Sequence, residues 1–262
     1  MIHTDTSHKP SRIIILGSGT STGVPVIGCD CQVCRSTDPR DKRMRASALV
    51  EVDGQRLLID CGPDFRRQFL DIAPLRPDAI LLTHIHYDHV GGIDDLRPLT
   101  FPDPLSIYCR PDLAEALRRT MPYCFGSNLY PGVPQIRLVE IDPTRQFLVG
   151  STPVIPLPVM HHDLPIIGFR IGNFAYITDA KTVPPSTMSL LHGVDTIVVN
   201  ALRLTPHHSH FSLSEAMNFI SAVNPRRAFL THISHQMPSH ACLSAILPPG
   251  VFPAADGLVI TP

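Results

Sequence analysis

The stretch THIHYDHVGG, residues 83–92, decides how this chain is read. His84, His86, Asp88 and His89 fall within six positions, directly after the apolar run AILLT (79–83) and directly before two glycines. A lone histidine is usually a surface or hydrogen-bonded residue, but three at this density with an aspartate need another explanation. Imidazole and carboxylate suit borderline-to-hard divalent metals. Four such groups exceed what a single open catalytic site takes from one segment, so two metals are expected.

Outward from that motif, the composition is that of an ordinary globular protein. Of 262 residues, 44% are hydrophobic and 17% charged, which is enough apolar material for a sizeable core. A net charge of −1 and a pI near 6.9 argue against a protein built to grip nucleic acid. The basic run RDKRMR (40–45) and the arginine pairs at 66–67, 118–119 and 226–227 read as solvated faces or helix ends. Twenty-seven prolines favour short loops and rigid turns. No apolar stretch approaches a membrane span, and SRIIILGSG is too short for a signal-peptide core. Seven cysteines, an odd and clustered set, suit metal binding in a reducing compartment, so a cytoplasmic location is expected.

Residues 1–11 lack an apolar pattern and are expected to form a loose tail before a single domain over 12–262. RIIIL (12–16) reads as a buried strand entering the loop GSGTSTGVP (17–25), which lacks the Lys-Ser/Thr ending of a nucleotide P-loop. ASALVEV and RLLID, separated by Asp53-Gly54, predict a hairpin. AILLT, IIGFRI (166–171), FAYIT (174–178), TIVVN (196–200) and RAFLT (227–231) predict further strands. RPDLAEALRRT (110–120) and SLSEAMNFISAV (212–223) predict helices, the second capped by Ser212 with Glu215 three residues on. Strands interleaved with helices imply an α/β layered architecture. LTHIH (82–86) and LTHISH (230–235) form one internal echo, which suits two similar halves that each deliver histidines from a strand end.

The pattern His84-x-His86-x-Asp88-His89 resembles the signature of the metallo-β-lactamase superfamily, and that resemblance implies a four-layered αβ/βα sandwich with a metal site between its halves. LLIDCG (57–62) looks like the family's first motif, which places Asp60 behind the ligands in an orienting role. PVMHHDLPIIGF (158–169) supplies the next histidine. Its spacing to Gly168 favours His161 and leaves His162 as a neighbour, with the choice between the two open. YITDA (176–180) supplies Asp179 and LTHISH supplies His232. The implied arrangement gives one metal His84, His86 and His161, gives the other Asp88, His89 and His232, and shares Asp179. Two divalent ions, manganese or zinc, are implied there. Two ions carry four positive charges and two carboxylates cancel two, so the residual field favours an anionic substrate. Asp88, Asp179 and His210 are the implied catalytic residues.

GCDCQVC (28–34) places Cys29, Cys31 and Cys34 within six positions, whereas a closed structural zinc site takes four ligands. Together with GTSTGVP (19–25), this run resembles the cyclic phosphodiesterases that accompany carbon–phosphorus lyase, the phosphoribosyl 1,2-cyclic phosphate phosphodiesterase group. That likeness implies His235, three residues after His232, as the fourth ligand of a structural zinc. It also implies that His210, before the capped helix, donates a proton to the leaving oxygen or holds a phosphoryl oxygen. Arg203, at the end of TIVVN and its NALR continuation, is a candidate phosphate partner or supporting residue. The expected activity is hydrolysis of a small or cyclic phosphodiester by a metal-bridging hydroxide. No stable nucleic-acid complex and no membrane are expected, and a homodimer is implied by resemblance. Rival functions are a transfer-RNA 3′-end endonuclease, a lactone, thioester or β-lactam hydrolase, and a metal-bound scaffold or redox module.

Overall fold

The computed structural model describes residues 8–72, 75–125 and 130–261. One mixed sheet carries β1 (Arg12–Gly17), β2 (Ser47–Val52), β3 (Gln55–Ile59), β4 (Ala79–Leu81), β5 (Leu105–Cys109) and β6 (Ile136–Glu140). The other carries β7 (Phe147–Val149), β8 (Thr152–His161), β9 (Leu164–Ile171), β10 (Phe174–Ile177), β11 (Thr196–Asn200), β12 (Arg227–Thr231) and β13 (Val251–Pro253). A final strand, β14 (Val259–Ile260), returns to pair with β1. In each half an antiparallel stretch gives way to a parallel one: β1-β2-β3 then β3 to β6, and β8-β9-β10 then β10 to β13.

Period-two alternation builds the layers. Ile13, Ile15, Leu57 and Ile59 point inward to meet Phe169, Phe174, Tyr176 and Val198 of the facing sheet. Their neighbours Ile14, Leu16 and Leu58 point outward and are covered by α1 (Phe65–Ile72) and, beyond the short α2 (Tyr87–Val90), by α3 (Pro111–Thr120). The short α4 (Pro122–Phe125) follows α3. On the opposite outer face, Ala175, Ile197 and Val199 pack under α5 (Pro185–Leu190), α6 (Leu213–Val223) and α7 (His240–Ile246). The result is a four-layered αβ/βα sandwich. Ser212 caps α6 through the Glu215 backbone N–H, and the Glu215 carboxylate accepts from the Ser212 backbone N–H. That is the capping box predicted from SLSE.

Of the expected tail over 1–11, residues 1–7 lie outside the described residues. His8 contacts Asp53, and the Ser11 N–H donates to the Glu51 carbonyl. Among the described residues no helix is long and apolar enough to cross a membrane.

Candidate active site

Strand ends deliver the chemistry. Asp60 follows β3, the 83–92 motif follows β4, Asp179 follows β10 and His232 follows β12, all at carboxyl ends of parallel-paired strands. Asp60, Asp179 and His232 adopt left-handed backbone at φ of 62°, 59° and 55°. Such conformations cost about a kilocalorie per mole or more in a non-glycine residue and persist where the surroundings fix them. Here they turn each side chain off its strand and into the gap between the sheets.

Asp60 sits behind the cluster and accepts from the Thr83 N–H and hydroxyl, both at 2.9 Å, and from His89 Nδ1 at 2.7 Å. Since the Thr83 hydroxyl donates to Asp60, it accepts from His84 Nδ1 at 2.9 Å. One buried carboxylate thus fixes the Nδ1 proton of two histidines, so that in the neutral rings Nε2 is the atom left to bind a cation. His161 is oriented separately, its Nδ1–H facing the carbonyls of Asp179 and Ser209 at 2.9 Å each.

Asp88, His89, Asp179 and His232 lie together and buried, with ligand atoms within 4.8 Å of one another. His89 Nε2 lies 3.1 Å from Asp88 and 3.3 Å from Asp179, while His232 Nε2 lies 3.1 Å from Asp179 and 3.5 Å from Asp88. Yet neither Nε2 has a hydrogen-bond partner. The atoms converge on common points instead of on one another, which is what a cation requires of its ligands. His84 Nε2 and His86 Nδ1 stand 3.1 Å apart, and the His86 ring lies 5.1 Å from that of His161. The donor set fits divalent cations. His161 is the buried member of its pair, and His162 faces solvent. His161, Asp179 and His210 also bring ligand atoms within 4.8 Å of one another.

Protons stand in for these ions in the metal-free protein. Burial alone would lower His232, but Asp179 and Asp88 overcome it and raise the imidazole to about 9. His89 is likewise raised by Asp179, Asp60 and Asp88 against burial. Burial would raise Asp88 and Asp179, but the facing histidines hold both carboxyls low. A folded pKa above the unfolded value stabilises the metal-free fold below about pH 6.5, and this contribution fades as pH rises through about 9. Metal binding needs neutral imidazoles, so it should release about two protons at neutral pH and strengthen toward pH 9. Calorimetric titration in buffers of different ionisation enthalpy measures that release; binding without proton release would refute it.

The second cluster lies at the neighbouring rim. Cys29, Cys31 and Cys34 place sulfur 3.2, 3.6 and 3.6 Å from His235 Nδ1. This four-ligand set fits a tetrahedral zinc. Ile233, between His232 and His235, exchanges backbone hydrogen bonds with the 17–25 loop, donating to Ser18 and accepting from Thr20. A clamp closed on Cys29, Cys31 and Cys34 thereby fixes the segment that carries His232.

Arg203 does not extend into the site. Its nitrogens donate to the Thr205 and Pro206 carbonyls and to Gln236 Oε1, so it braces the loop leading to His210. Sequence reasoning missed three supporting residues. Asn200 pins the Asp179 turn by accepting from the Ala180 N–H and donating to its carbonyl. Thr178 donates to the Asp179 carboxylate. The hydroxyl of Ser209 contacts His207 and His210 while its carbonyl orients His161.

A family profile described as the β-lactamase superfamily domain matches residues 55–233, from β3 through the His232 turn. The chain belongs to the metallo-β-lactamase superfamily. A diphosphatase of the PhnP family shares 37% identity and a TM-score of 0.90, covering 97% of each chain. Within the superfamily the chain is therefore similar to that family. An octanoyltransferase of Porphyromonas gingivalis is 43% identical over 249 residues, 94% of this chain and 51% of that protein. A ribonuclease Z of a Bradyrhizobium species is 33% identical over 138 residues, half of this chain and 45% of that protein. The chain spans about half the length of the curated relatives it matches.

Proposed function

We propose that the protein is a dinuclear-metal phosphodiesterase acting on a small or cyclic phosphodiester. The observation that carries this is Asp179, whose Oδ1 faces His232 at 3.1 Å and His210 at 3.0 Å while Oδ2 faces His89 at 3.3 Å. One carboxylate thus stands between His89 and His232 of one proposed metal position and, together with His210, within 4.8 Å of the ligand atom of His161 of the other. Two divalent ions bound there supply an activated water and neutralise charge on a phosphoryl group. The residual positive charge, four from the ions less two from Asp88 and Asp179, favours a diester anion over a neutral amide.

His210 acts at the phosphoryl group. Burial outweighs the attraction of Asp179 and pushes its imidazole down to about 4, so it is neutral at pH 7. Its Nε2–H faces Asp179, and Nδ1 accepts from the Ser209 hydroxyl at 3.0 Å. In that tautomer the one N–H is engaged by the Asp179 carboxylate; with Asp179 turned to bound cations, the same N–H would be available to a phosphoryl or leaving oxygen. His210→Ala should therefore lower turnover about a hundredfold while both ions stay bound. Parallel metal analysis and kinetics check this; unchanged turnover removes the role.

The PhnP-family diphosphatase supports phosphorus as the reacting centre. The octanoyltransferase supports an acyl alternative, although the activity in its name belongs to a protein about twice as long. An assay panel separates these readings: cyclic and linear phosphodiesters, precursor transfer RNA, a lactone, an octanoyl thioester and a cephalosporin, each with manganese or zinc. Turnover confined to the acyl substrates defeats the proposal.

A further inference from the structure

Asp256 lies in the connection that leaves β13, the edge strand of one sheet, and enters β14, the edge strand of the other. The backbone around it is fixed to both. The Ala254 N–H donates to the Leu230 carbonyl of β12 at 2.8 Å, and the Gly257 N–H donates to the Ile15 carbonyl of β1 at 2.8 Å. Asp256 Oδ1 accepts from the Ser18 N–H at 2.8 Å and from the Ser18 hydroxyl at 2.7 Å, while Oδ2 accepts from the Met44 N–H at 2.6 Å. Arg43, read from the sequence as part of a solvated basic run, is instead buried against the same serine. It donates to the Ser18 hydroxyl oxygen at 2.8 Å and to the Ala254 carbonyl. Burial pushes the Asp256 carboxyl up to about 6 against the pull of Met44, Ser18 and Arg43, so at pH 7 it is mostly ionised. Keeping such a charge half-buried costs desolvation, and no step of the hydrolysis proposed above uses it.

What this carboxylate holds leads to the metal ligands. The Ser18 carbonyl accepts from the Ile233 N–H at 2.9 Å, and the Ile233 carbonyl accepts from the Thr20 N–H at 3.2 Å. Ile233 directly follows His232. Met44, the second group that Asp256 holds, accepts from the Gly19 N–H at 2.8 Å, so the 18–20 segment is fixed from two sides. We propose that Asp256 is a positioning residue for the metal centre: by tying Ser18 and Met44 to the connection between the two sheets, it sets where the 232–235 turn presents His232. The role rests on the cation site of Asp88, His89, Asp179 and His232 described above. Those ligands come from both halves, two after β4 and the others after β10 and β12, so their separation depends on how the sheets are tied. Asp256 ties them at the β13–β14 edge through short, charge-assisted bonds, which hold their geometry better than neutral ones. Supporting partners of metal ligands change affinity by about ten- to a hundredfold when removed.

Asp256→Asn tests this. Asparagine keeps the shape but puts an NH2 where one oxygen stood, so either the Ser18 or the Met44 N–H meets a donor. Titrated with manganese, which a thiolate clamp disfavours, the variant should bind about tenfold more weakly than the wild type. In the metal-free protein its Ile233 N–H should exchange with deuterium about tenfold faster relative to the amides of β12. Asn173→Ala controls for lost stability alone. Asn173 precedes β10, at the opposite end from Asp179, and its Nδ2 donates to Asp195 at 2.8 Å. That variant should melt at a lower temperature and leave both readouts at their wild-type values. Either readout unchanged in Asp256→Asn, or an equal change in Asn173→Ala, overturns the positioning role. If the wild type itself takes up no manganese, the cation site falls, and the exchange of Ile233 then decides by itself whether Asp256 holds the turn.

Discussion

Asp179→Ala should cut hydrolysis by about a thousandfold or more and leave the protein unable to hold two ions. Removing several kilocalories per mole of charge stabilisation from a dimetal centre corresponds to a factor of that size. Among the described residues, this carboxylate is the one group that faces His89, His210 and His232 together. Asp88 does not replace it, because it lies 3.1 Å from His89 and 3.5 Å from His232 and is not among the hydrogen-bond partners of His210. Alanine also loses the tolerance of aspartate for φ of 59°, at a cost of about 1–2 kcal/mol. Asp179→Asn separates the two effects, since asparagine accepts that backbone and removes only the charge. The asparagine variant should keep a near-native melting temperature, bind fewer ions by elemental analysis, and release fewer protons on metal addition. Two tightly bound ions and full turnover in the asparagine variant would contradict the bridging role.

How much of this was legible in the sequence follows from how local each feature is. His84, His86, Asp88 and His89 fall within six positions, so their spacing alone suggests a metal site. The three cysteines are equally local, and their fourth partner lies three residues from a histidine already singled out. The supporting residues were not legible. Ser209, Asn200 and Thr178 are short polar side chains of a kind found in any loop, and only the fold shows that they fix His161, His210 and Asp179. The strand β8 was missed because Pro153, Pro156 and Pro158 argue against a sheet position. The helix α1 escaped because it buries only Phe65, Gln68 and Phe69.

The internal echo also reads differently in three dimensions. LTHIH follows β4, the second parallel-paired strand of its half, whereas LTHISH follows β12, the third of the other. The positions that do correspond are the ends of β3 and β10, which carry Asp60 and Asp179 with nearly the same left-handed backbone, 62° and 59°. The two halves therefore share a backbone device for turning an aspartate into the gap. Their text there, LLIDCG and YITDA, is too short to reveal it.

Gly62→Ala should be nearly as damaging as loss of Asp179, although glycine carries no chemistry. A Cβ at position 62 would stand 2.1 Å from the Asp88 carbonyl oxygen, and one at Gly92 would stand 2.1 Å from the Gly62 carbonyl oxygen. These obstacles are backbone, so no side chain can rotate away. The closeness has a purpose: the Cys61 N–H donates to the His89 carbonyl at 2.8 Å, and the Gly92 N–H donates to the Cys61 carbonyl at 2.9 Å. Those two bonds lay the end of β3 against the turn that holds Asp88 and His89, and they bring Asp60 to His89. Inserting a methyl must push the two segments apart, at a cost of about 3 kcal/mol or more. The displacement falls directly on two proposed ligands, Asp88 and His89, and on the carboxylate that orients His89. The variant should melt well below the wild type and hold metal weakly even where it remains folded. Gly54→Ala is the matching control: Gly54 has φ of 76° but nothing within 4 Å of its Cβ, so it should lose stability through backbone strain alone and keep its ions. Equal metal affinity in the two variants would mean that the contact between the 60–62 segment and the 88–92 turn does not set the geometry of the site.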